Sequence, residues 1–118
     1  MAQGAPNSHR YARMRRYERH GYDARIKVLV FRDGKTTELW GRTNELGMDG
    51  VSATLNREVG VGEVVSLEIL IPIVPFTMKV RAIVRYTDGL RCGFEFLVVS
   101  QEQRETMRQL CGMLSSTT

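Results

Sequence analysis

"TMKVRAIVRYTDGLRCGFEFL", residues 77–97, decides how the chain is read. Met78, Val80, Ala82 and Val84 recur at every second position, with Lys79, Arg81 and Arg85 between them. That period of two puts one face on a core and the other in water, as in a β-strand and not a helix. Asp88-Gly89 then supplies residues suited to a tight turn. Leu90, Cys92, Phe94 and Phe96 share a phase over residues 90–97, so the chain returns as a second strand. Two alternating segments around a glycine turn make an antiparallel hairpin.

The same pattern extends upstream. Residues 64–71 place Val65, Leu67, Ile69 and Ile71 on one side. Residues 50–56 set Val51, Ala53 and Leu55 opposite Ser52 and Thr54. Residues 25–31 align Ile26, Val28 and Val30, and a weaker strand over 38–43 holds Trp40. Between these last two, "RDGK" predicts a hairpin in which Asp33-Gly34 adopts positive φ. Downstream, Ser100 and Gln103 stand in the capping-box arrangement. Met107, Leu110, Cys111 and Leu114 then form the apolar stripe of one helix. Short antiparallel strands with a single terminal helix specify an all-β fold, a small barrel or sandwich, with a C-terminal helix docked on it.

A chain of 118 residues with 42% apolar and 25% charged residues suits one domain with one core. No apolar run approaches the ~18–20 residues that cross a bilayer. No apolar segment follows the basic N-terminal stretch, so no secretory signal is expected and the cytosol is the expected location. Cys92 and Cys111 are too far apart in sequence for a zinc or thioredoxin-like pair and read as reduced core thiols. The two histidines, His9 and His20, lie in or beside the N-terminal arm. No Ser/His/Asp spacing, acid pair or phosphate loop stands out, so neither catalysis, metal nor cofactor is expected.

The net charge of +4 is concentrated at the N-terminus. Residues 1–27 hold six arginines and one lysine against Glu18 and Asp23. Arginine has a planar fork that can stack on a base or grip a phosphate, which a lysine ammonium cannot. A solubilising basic tail is the plainer reading of the same residues. Residues 1–14 are expected to form a disordered basic tail. Residues 15–115 are expected to form the domain, including an arginine arm and the closing helix, and 116–118 a further tail. Tyr17 and Tyr22 are expected to pack the arm onto the domain. Trp40 falls out of phase with Leu39 and reads as a partly exposed packing residue. Arg42, Lys79, Arg81 and Arg85 read as solvated charges.

"RRYER", with Arg15 and Arg19 in R-x-x-x-R spacing, is followed by "ELGMDGVSATL" and later by "VRAIVRY" and "GLRCGFEFLVVSQEQRETMRQL". This combination resembles the PilZ domain family, over roughly residues 15–114. The family has an N-terminal R-x-x-x-R segment and then a D/N-x-S-x-x-G motif at the start of a strand. The resemblance implies a six-stranded antiparallel β-barrel and a non-enzymatic receptor for cyclic di-GMP, a bacterial second messenger. It implies that Arg15, Arg16 and Arg19 hold phosphates and guanine faces, with Glu45, Gly47 and Gly50 on the opposing wall. It also implies an arm that orders on binding and signals to a protein partner.

The second motif departs from the pattern. Alignment on the last glycine puts Glu45 at the Asp/Asn position, Gly47 at the Ser position and Gly50 at the Gly position. A register starting at Asn44 would put Leu46 and Asp49 at the last two. Glu45 keeps a carboxylate on a longer stem. Gly47 deletes a hydroxyl, costing about 0.5–1.5 kcal/mol for a neutral hydrogen bond. Binding retained but weakened is the expectation. A PilZ-like interaction module that no longer binds the nucleotide is the alternative. A nucleic-acid-binding barrel using the basic arm ranks below both.

Overall fold

The computed structural model describes residues 19–71 and 76–116. Arg15, Arg16 and Tyr17 lie outside the described residues, as does the expected tail before them. In chain order the elements are β1 (His20–Gly21), β2 (Arg25–Arg32), β3 (Lys35–Leu46), β4 (Gly50–Leu55), β5 (Val64–Ile71), β6 (Phe76–Asp88), β7 (Arg91–Val98) and α1 (Gln101–Ser116). Every pairing is antiparallel. From β3 the order runs through β2, β5, β6, β7 and β4, and β4 pairs back onto β3. Six strands thus form a closed barrel, as the resemblance implied, where the sequence pattern alone admitted a barrel or a sandwich. Closure leaves none of the six with an open edge.

The interior follows the alternation. Ile26, Val28 and Val30 of β2 meet Val65, Leu67 and Ile69 of β5, Met78, Val80, Ala82 and Val84 of β6, and Phe94 of β7, all buried. Asp33 (φ 52°) and Gly34 (φ 73°) both turn left-handed, the geometry expected of "RDGK". Leu90 departs from expectation. It sits in the β6–β7 turn, outside β7, and is 45% exposed. A shared phase predicts burial only where the strand has begun.

β3 is the larger correction. It runs 12 residues, not the six of 38–43, and carries Glu45 and Leu46 at its end. Its register slips between Thr43 and Glu45. That bulge at Asn44 moves the buried series from Leu39 and Thr43 to Leu46, which hides the alternation from a fixed-period reading.

The chain before β2 was expected as an arm without regular structure. Instead, β1 pairs His20 with Leu46 and Gly21 with Glu45, on the edge of β3 that β2 uses farther along. Two residues are too few to show a period. At the break between β1 and β2, Thr43 supplies the missing links. Its Oγ1 accepts from Ala24 N (2.9 Å) and donates to the carbonyl of Tyr22, while Tyr22 N donates to Asn44 O (3.0 Å).

α1 begins with the expected capping box. Gln103 N donates to Ser100 Oγ and Ser100 N to Gln103 Oε1, each at 3.0 Å. Met107, Leu110 and Cys111 are buried, the first two within the barrel's own apolar cluster. β7 ends beside the start of β4, so α1 leaves from the end of the barrel that carries the β3–β4 loop. At the other end Glu63 grips Arg32 of β2 through two hydrogen bonds of 2.7 Å.

Candidate functional site

The β3–β4 loop is short. β3 ends at Leu46 and β4 begins at Gly50, so only residues 47–49 connect them. Gly47 N donates to Gly50 O (2.9 Å), closing the connection on itself. Asp49 O accepts from Phe96 N (2.9 Å), which fastens the loop to β7. The backbone of this loop is therefore held on both sides, a rigid platform for the side chains it carries.

Gly50 is buried where β4 meets β7. A Cβ there would stand 2.1 Å from the Phe94 carbonyl oxygen and 3.0 Å from Nη2 of Arg19. Its glycine is required by close approach. Positive φ occurs in the described glycines at Gly34, Gly62 and Gly89, not at Gly50.

Arg19 lies immediately before β1, so the pairing of His20 and Gly21 with β3 aims it at this loop. Its side chain is 2% exposed, and its Nε lies 3.4 Å from Oδ1 of Asp49, which is 22% exposed. A guanidinium cannot lose its proton, so burial demands a counter-charge nearby. Asp49 supplies it, in an ion pair that lacks the alignment of a hydrogen bond. The charge of Asp49 is also felt on α1. The Cys111 thiol is pushed up first by burial and then by the Asp49 charge.

Of the residues expected in the site, Arg19, Gly47 and Gly50 are brought together at this loop. Glu45 is half-buried on β3, between Gly21 of β1 and Ser52 of β4. Arg15 and Arg16 fall outside the described residues. Two residues were missed. Asp49 occupies a variable position of the motif, and only its placement against Arg19 marks it. Ser52 Oγ is buried without a hydrogen bond next to Glu45, although its alternation with Val51 and Ala53 predicted a solvent-facing hydroxyl.

A family model described as PilZ domain matches residues 13–112. The chain belongs to the PilZ domain family. No curated protein matches it in sequence. Among solved structures, the PilZ domain of YcgR from Escherichia coli with c-di-GMP superimposes at a TM-score of 0.69 and 17% identity, covering 88% of this chain and 93% of that one. The Bacillus subtilis inhibitor of motility, MotI/DgrA, gives 0.72 at 17% identity, with 88% of this chain against 52% of that one. This PilZ chain thus spans about half of the Bacillus protein's length. The PilZ domain of CeSA from a cellulose-synthesizing bacterium gives 0.64 at 16% identity, over 83% and 98%. At such identities the likeness is one of fold.

Elsewhere on the PilZ barrel several outward residues are paired with one another. Trp40 is 43% exposed and lies under the Lys27 ammonium, 5.4 Å from the ring centre. Arg42 bonds Asp23 (2.8 Å) and Arg85 bonds Glu95 (2.5 Å). Tyr22 packs against the core and donates its hydroxyl to Leu70 O (3.2 Å). Among the described residues no group of three His, Cys, Asp or Glu could hold a metal ion, and no helix is long and apolar enough to cross a membrane.

Proposed function

We propose that this PilZ domain is a cytosolic, non-enzymatic receptor for cyclic di-GMP. The observation that carries the reading is the seating of Arg19, the second arginine of R-x-x-x-R, against the loop that ends in Gly50. Two further arginines, Arg15 and Arg16, precede it in sequence. In this reading the three guanidiniums take the ligand's phosphates and guanine faces, because each can fork onto an anion or lie flat on a base. Glu45 accepts from a guanine edge, and Gly47 and Gly50 belong to the opposing wall, where Gly50 leaves room for Arg19 and the Phe94 carbonyl. Ligand contacts offset the ordering entropy of the arm, which then presents a changed surface to a partner protein.

The experiment is calorimetric titration of the purified protein with cyclic di-GMP. Saturable heat supports the reading. Absence of binding at ligand concentrations on the order of 100 μM, a limit of roughly −5.5 kcal/mol, sinks it.

A second reading is an interaction module that no longer binds the nucleotide. It is favoured by one observation, that Arg19 already faces a carboxylate. Co-purification of a protein partner, unaffected by cyclic di-GMP, would support it.

A further inference from the structure

Asp49 is the odd member of the loop. Its backbone carbonyl is fixed by Phe96 N, and the turn around it is closed by the Gly47–Gly50 hydrogen bond. Its Cα is therefore held beside Arg19, and only rotation of its own side chain takes the carboxylate away. The two side chains are unequally covered, Arg19 at 2% exposure and Asp49 at 22%. The open side of the pair is thus the carboxylate side. An anion arriving from solvent meets Asp49 before it can reach the guanidinium behind it.

We propose that Asp49 sets the affinity of this site by acting as its resident anion, which an incoming phosphate must displace from Arg19. The identity of the ligand rests on the receptor reading above; the displacement rests on the Arg19–Asp49 geometry. A tethered carboxylate competes at high effective concentration, since it pays no translational entropy to be there. An incoming phosphate gains a charge-assisted bond to Arg19 only by giving up the Arg19–Asp49 ion pair, and it then meets a freed negative charge at close range. Removing the carboxylate's charge abolishes both costs. On the scale of one charged hydrogen bond, affinity should rise by roughly ten- to hundred-fold.

The test is titration of the wild type, Asp49→Asn and Asp49→Ala with cyclic di-GMP, each variant checked for a cooperative thermal transition. Two variants are used so that a folding failure in one leaves the other informative. Arg19→Ala combined with Asp49→Asn is the control. The expected result is tighter binding by about ten-fold or more in both single variants, with the gain lost in the double variant. If the wild type is silent and Asp49→Asn binds, displacement stands and the wild type is not a receptor at ordinary ligand levels. If the wild type binds and the folded variants bind equally or more weakly, displacement is overturned while the receptor reading survives. If none binds, both are overturned.

Discussion

The carbonyl oxygen of Phe94 stands 2.1 Å from the place a Cβ would take at Gly50. Since the oxygen belongs to a ladder between β4 and β7, it cannot move aside like the tip of a flexible side chain. Gly50→Ala is expected to push β4 away from β7 and lower stability by about 1–3 kcal/mol, the usual cost of overpacking. Thermal denaturation checks the loss, and faster hydrogen exchange confined to β4 and β7 would locate it. An unchanged melting temperature would mean that the ladder yields more easily than its pairing suggests.

Arg19 and Asp49 should be coupled in stability. Removing either takes an opposite charge away from the other, at a cost of roughly 1–3 kcal/mol, less than for a fully buried pair because Asp49 is partly exposed. A double-mutant cycle with Arg19→Ala and Asp49→Ala should then show a double variant less destabilised than the sum of the two. Strict additivity would remove the pair as an interaction. For ligand, Arg19→Ala alone should weaken cyclic di-GMP binding by about ten-fold or more.

Burial pushes the Cys92 thiol up to about 12, and Cys111 is raised as well. The unfolded thiol ionises near 8.5. The neutral thiol's stabilisation is therefore fully present below that value and is lost as pH rises toward 12. At pH 8 a disulfide reagent should label Cys92 only on the timescale of unfolding, and both cysteines at once in denaturant. Rapid labelling of Cys92 in the native protein would contradict its place in the core.

Glu63 gives the opposite sign. Its hydrogen bond from Arg32 holds the carboxyl below the usual range, against the opposing effect of burial. The resulting stability is present above the unfolded value near 4.3 and is lost as pH falls through the lowered folded one. Glu63→Gln should cost less than about 1 kcal/mol at pH 7, because the pair is substantially exposed. The same variant should show a shallower decline in unfolding free energy between pH 5 and pH 3, by tenths of a kcal/mol to about 1 kcal/mol.

The barrel was legible because β2, β5, β6 and β7 keep a period of two in which every inward residue is apolar. β3 was half hidden, since threonine at 43 and the bulge at Asn44 interrupt that period. The capping box of α1 was readable because it is local, four residues long and chemically distinctive. The R-x-x-x-R spacing pointed to Arg19, but nothing local pointed to Asp49. Their meeting depends on β1 pairing with the end of β3, a relationship between segments some 25 positions apart in the chain. Spacing rules register what lies on one element; an ion pair between two elements appears only once register is known.

The β4–β7 ladder has a consequence for where the loop's shape comes from. Gly50 and Asp49 take their positions from Phe94 and Phe96, which stand more than forty residues later in the chain. β7 bridges β6 and β4, so the ring of strands cannot close without it. A fragment ending before β7 could keep the β2–β3 hairpin and every residue of the second motif, yet would lose both anchors of that motif together. The loop is in this sense a property of ring closure and not of its own six letters, and whatever seats on it reads whether the barrel is whole.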